Sequence, residues 1–181
     1  MGVLLAFAPF LTFVVVERLI GVQPGLIAAA VVAVIVLLRD LSRKTVKVLD
    51  VGTALLFAGL AIYTHFAHPD WSVIAVRLRV DLGLFLIVLV SILLRRPFTL
   101  QYAREQVPRE FWNSREFVRT NYVITGVWAA AFAVMVLAEA AILYLPGMPK
   151  SLGVLVTVLA IVGAMKFTGW YPERGAASTK A

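Results

Sequence analysis

Long apolar runs broken by short charged clusters constrain this chain more than any other feature of its sequence. A helix needs about 20 mostly apolar residues to cross a hydrocarbon layer of about 30 Å, and the runs here approach that length repeatedly. The composition agrees. Hydrophobic residues make up 61% of the 181 positions and charged residues 15%, against about 25% charged in a typical soluble domain. Mean hydropathy is +0.92. A water-soluble core of this size has no use for so much apolar surface, so lipid is the expected solvent for most side chains.

The pattern predicts an all-α fold, a polytopic transmembrane helical bundle of six spans in one domain. The spans are placed at about residues 3–20, 22–38, 51–66, 80–94, 122–145 and 151–170. Gly21 to Gly25, with Pro24 among them, supplies turn chemistry between the first two, which should form a tight hairpin. The second span is short for a bilayer. Asp81 falls in the first turn of the fourth, where a carboxylate suits the helix dipole. Residues 95–121 are the one long polar stretch, and a short polar tail covers 172–181. The first run has no basic n-region and no small-residue cleavage site, so it is read as a retained helix. Small residues at Ala54 and Ala58, at Ala129, Ala130 and Ala133, and at Ala160, Gly163 and Ala164 permit close helix approach. Packing within the chain is the simpler use of them, and a homo-oligomer face is the alternative.

Net charge is +7, yet the basic residues sit between apolar runs rather than on one soluble face, and no nucleic-acid motif accompanies them. Basic loops are instead expected on the cytoplasmic side of membrane proteins. With six spans, 13 basic residues fall on one side: Arg39, Arg43, Lys44, Lys47, six arginines between 95 and 119, Lys166, Arg174 and Lys180. Only Arg18, Arg77, Arg79 and Lys150 fall on the other. Both termini are therefore expected in the cytoplasm.

Glu17, Arg18, His65, Arg77, Arg79, Asp81 and Glu139 are the ionisable residues expected nearest to hydrocarbon, in the outer third of the bundle. Charges at such depth are unfavourable unless paired or hydrated, which makes them candidates for function. Glu139 would lie about 9 Å inside the end of its helix. One expectation is that Glu17 and Glu139 share a cavity in which Arg18 or Arg79 neutralises them. Arg18, Arg77 and Arg79 also fit the simpler role of snorkelling cations at helix ends. His65 and His68, spaced i, i+3 beside Asp70, are a weak metal signal, and an interfacial helix cap is the favoured reading. No cysteine is present, which removes disulfides, thiolate metal sites and a cysteine nucleophile. No nucleotide-binding, zinc-protease or serine-hydrolase motif appears. The sequence thus points to no cofactor and no metal, and weighs against catalysis.

In residues 95–121, Arg95, Arg96, Arg104, Arg109, Arg115 and Arg119 alternate with Phe98, Tyr102, Phe111, Trp112 and Phe117. That mixture suits a segment lying among lipid headgroups, rings towards the acyl chains and guanidinium groups at the phosphates. The order of features resembles the intracellular septation protein A family of small bacterial inner-membrane proteins. The likeness is carried by Phe7-Ala8-Pro9-Phe10, Thr64-His65-Phe66, the stretch from His68 to Trp71, and Arg96-Pro97-Phe98. Glu105, Pro108, Trp112, Asn121 and Trp128 follow in similar order. The long loop departs by being longer and richer in arginine. The resemblance implies a non-enzymatic inner-membrane protein supporting septation, division or envelope synthesis through contacts with lipids and envelope proteins. It singles out Arg96, Pro97, Trp112, Asn121 and Trp128, with Arg95 and Arg104 beside them. A small transporter or channel using Glu17, His65 and Glu139, and a lipid-modifying enzyme, are the rival expectations.

Overall fold

The computed structural model describes residues 6–178, apart from the side chains of residue 150 and residues 173–178. Among the described residues the protein is all-helical, with seven α-helices, one 3-10 turn and no strand. The helices are α1 (Ala8–Leu19), α2 (Val22–Ser42), α3 (Val48–Ala67), α4 (Val73–Leu93), α5 (Phe98–Ala103), α6 (Arg115–Tyr144) and α7 (Lys150–Ser178). The 3-10 turn spans Arg109–Phe111. Among the described residues four helices are long and apolar enough to cross a membrane: α2, α3, α6 and the Ser151–Pro172 part of α7.

The other two expected spans differ from these four. α1 has 12 described residues, about 18 Å of rise, and the expected start at residues 3–5 lies outside the described set. Pro9 sits in its first turn, where a missing N–H breaks no helical hydrogen bond. α4 has 21 residues but carries Arg77, Arg79 and Asp81 in its first three turns.

Helix limits move outward from the expected ones for identifiable reasons. α2 is not short, because it runs through Arg39 and Asp40 to Ser42 and reaches 21 residues. α4 begins at Val73, where the Ser72 hydroxyl accepts a hydrogen bond from the Ala75 N–H at 3.2 Å, the arrangement of an N-cap. Asp81 is therefore in the third turn and not the first. α6 begins seven residues before the expected 122, with the Ser114 hydroxyl accepting from the Phe117 N–H and Glu116 in its first turn. At the other end α7 continues past Pro172 to Ser178, so the expected tail begins as helix; residues 179–181 lie outside the described set. Three connections turn on non-glycine residues at positive φ, Lys44, His68 and Arg95.

The helices gather into two compact units, Met1–Ile87 and Val88–Ala181. In the first, α1 packs on α2 and α2 on α3, around Phe13, Leu26, Ala29, Ala33, Leu49 and Phe57. The rings of Phe13 and Phe57 are 6.0 Å apart. α3 and α4 meet at Gly83, where an added Cβ would lie 2.3 Å from a Leu56 methyl, so the bare backbone lets the helices approach. In the second, α6 packs on α7 and α5 on α6, around Phe98, Ile124, Trp128, Phe132 and Met135. Of the small residues noted above, Ala54, Ala129 and Ala164 are buried within the chain, whereas Ala130 and Gly163 are exposed.

Outside these cores the surface is apolar. Leu55, Phe66, Leu86, Leu93, Leu137 and Leu159 are among the exposed large side chains, and only 11% of the apolar stretch of α7 is buried. Water would leave that much hydrocarbon uncompensated, whereas a bilayer solvates it.

Candidate functional site

One end of the first unit is polar. There α1 ends, α2 begins, α3 ends and α4 begins. Glu17, buried at 8% exposure, accepts a hydrogen bond and ion pair from Arg77 at 2.6 Å. The expected cation was Arg18 or Arg79. Arg77 takes the place because starting α4 at Val73 brings its second turn to Glu17, while Arg18, one residue further round α1, is exposed. Arg79 lies 3.7 Å above the Trp71 ring and donates to the Ala75 carbonyl. Trp71 stacks on Tyr63 at 5.1 Å. The backbone of Glu17 also lies against Gly25 of α2, where an added Cβ would come within 3.0 Å of the Glu17 nitrogen.

His65 and His68 are exposed at the end of α3, their rings 6.3 Å apart. His68 is the left-handed C-cap of the helix, which is a structural use of that position. Among the described residues no group of three His, Cys, Asp or Glu is placed to hold a metal. A pocket of about 370 Å³ opens here, walled by Gln23, Thr64, His65, His68, Trp71 and neighbouring apolar side chains. Asp81 is buried at 4% exposure further along α4.

A second charged group lies at the α2–α3 connection, and the sequence reading missed it by assigning these residues to a watery loop. Asp40, Lys47 and Asp50 are each at most 3% exposed. The Lys47 ammonium pairs with Asp40 and lies 3.9 Å from Asp50, and Arg39 reaches Asp40 at 2.8 Å from the exposed side. Carboxylates on both sides of Lys47, at Asp40 and Asp50, were the available signal.

In the second unit, Glu139 is buried at 3% exposure and lies against the first turn of α7. A Cβ on Gly153 would sit 3.2 Å from its Oε1. The N-terminal end of a helix is a favourable place for a carboxylate.

The arginine-aromatic stretch is folded rather than a loose loop. Arg95 and Arg96 are exposed at the end of α4, and Pro97 is the buried N-cap of α5. Thr99 of α5 donates to the Asn121 carbonyl at 2.8 Å and shares a 2.7 Å hydrogen bond with Thr125. The Trp112 indole donates to the Val107 carbonyl at 2.9 Å, and the guanidinium groups of Arg104 and Arg109 each lie 5.5 Å from its ring. Asn121 also donates to the Phe117 carbonyl. Trp128 donates to Thr168 of α7 at 3.0 Å and packs edge-on against Phe98. The Trp128 side chain thus ties α7 to α6 and packs on α5, and Asn121 is tied to α5 through its backbone carbonyl while its side chain bonds within α6; Arg95, Arg96 and part of Trp112 remain at the surface. No protein-family model, no curated protein and no solved structure matches this chain.

Proposed function

We propose that this chain is a non-enzymatic protein of a bacterial inner membrane that supports envelope synthesis, septation or division through contacts with lipid headgroups and partner proteins. In this reading it spans the membrane six times with both termini in the cytoplasm, α1 and α4 joining the four long apolar helices. The observation that carries it is the shaped arginine-aromatic surface after α4, where Trp112 is flanked by Arg104 and Arg109 on a segment pinned to α6 through Thr99. Guanidinium groups ordered beside an indole favour phosphate-bearing headgroups and acidic partners. The septation resemblance supports the cellular role, and the basic bias supports the orientation.

Replacing Arg96, Arg104 and Arg109 together by alanine should leave the protein in the membrane but fail to restore cell shape to a deletion strain. Normal shape in both the deletion and the variant would end the reading. Reporter fusions should place residues 43–47 and 95–121 on one face of the membrane, and opposite faces would refute the six-span orientation. A transporter is the second reading, favoured by the buried Glu17–Arg77 pair beside a pocket; reconstituted vesicles without solute or ion flux would remove it.

A further inference from the structure

The pocket in the first unit has a chemistry of its own. Its volume of about 370 Å³ is at the small end of the range of about 300–1,000 Å³ typical of small-molecule sites, room for a ring-sized head rather than a large ligand. Among the described residues, its wall contains no Lys, Arg, Asp or Glu. The cations on the adjoining helix are held by other groups, Arg77 by Glu17 and Arg79 by the Trp71 ring and the Ala75 carbonyl. A charged ligand entering the pocket would lose water without meeting a carboxylate, ammonium or guanidinium group in the wall.

The wall does offer donors. Gln23 brings an amide, Trp71 an indole, and His65 and His68 an imidazole each, with at least one ring N–H. Thr64 spends its proton on the Leu60 carbonyl at 2.8 Å, and Gln23 makes only a long contact of 3.4 Å to the Ala61 carbonyl. Val76 gives the wall an apolar side. A surface with several donors, no carboxylate, ammonium or guanidinium group and a partly apolar side matches a ligand that accepts hydrogen bonds through a carbonyl oxygen and carries hydrocarbon behind it.

We infer that this pocket binds an uncharged, carbonyl-bearing amphiphile from the lipid phase, its carbonyl oxygen facing Gln23 and the imidazoles. A quinone ring and the ester region of a neutral glycerolipid share that chemistry. The inference rests on the membrane reading for the source of the ligand, and on the pocket alone for its class.

Both histidines of the chain stand in this wall, so the imidazole C–H signals of the full chain, labelled with 13C-histidine and purified in detergent, report on the pocket without background. Menadione and dioctanoylglycerol are the neutral probes, inorganic phosphate and Zn²⁺ the charged ones. The absence of cysteine leaves menadione no thiol to alkylate. Saturable shifts of both signals with menadione or with dioctanoylglycerol are expected, and the stronger response identifies the source. Gln23→Leu should weaken that binding roughly fivefold, the loss of about one hydrogen bond. Shifts that grow linearly without saturating, no response to either neutral probe, or an equal response to phosphate or Zn²⁺ would each overturn the assignment. Failure of the membrane reading would appear separately, as a chain that stays monodisperse after detergent is removed.

Discussion

The α1–α2 hairpin and the α6–α7 hairpin each bury one carboxylate, Glu17 and Glu139, against the fourth residue of the following helix, Gly25 and Gly153. The surroundings of the two glycines differ. Glu17 meets a full positive charge, Arg77, from 60 residues away, and its own backbone touches Gly25. Glu139 lies beside the opening turn of α7, and the atoms nearest an added Cβ on Gly153 are side-chain ends, Ile142 Cδ1 and Glu139 Oε1. The first hairpin is closed by backbone on backbone, with an ion pair tying α1 to α4 beside it, and the second by side-chain ends. Rigidity is therefore expected in the first and tolerance in the second.

Arg77→Leu is the harshest test of that contrast. It leaves Glu17 buried without its guanidinium and should cost about 2–3 kcal/mol, below the largest buried-pair losses because Arg77 keeps some solvent contact. Unfolding in mixed micelles measures it, and adding Glu17→Gln should recover more than half. If the double variant is no more stable than Arg77→Leu, the pair is not what holds that end together.

Gly25→Ala should follow at about 2 kcal/mol, because the new methyl meets the nitrogen and Cα of Glu17 and only a shift of α1 relieves it. Gly153→Ala should cost about 1 kcal/mol or less, since Ile142 can change rotamer. The same micelle titration on both variants decides the matter, and equal losses would erase the distinction between the hairpins. The smallest effect belongs to the helix start that the second hairpin grows from: Ser114→Ala removes an exposed cap at 3.3 Å and should lower stability by about 0.5 kcal/mol, read as fraying of the first turn of α6 by amide exchange.

The long apolar helices were legible in the residues, and their ends were less so. The expected limits stopped at the first charge: residue 38 for α2, residue 80 for α4, residue 122 for α6. The chain stops instead at caps. Ser72 and Ser114 mark two of the true starts, and both were visible as serines preceding helical runs. The polar end of the first unit was half legible. Glu17 stood out as a carboxylate too deep for water, but its partner did not, because Arg77 reaches it only once α4 starts seven residues earlier. The cluster of Asp40, Lys47 and Asp50 was hidden for the opposite reason: charges beside a turn look solvated until neighbouring helices cover them.

By itself the order of amino acids determined that long apolar helices form and that their outer surfaces suit lipid, since backbone hydrogen bonding within a helix and side-chain transfer from water are local properties. Tertiary structure alone decided which cation neutralises Glu17, that neighbouring helices cover Asp40, Lys47 and Asp50, and that Trp128 reaches Thr168. Those outcomes depend on distances of a few ångströms between helices, which no local pattern encodes.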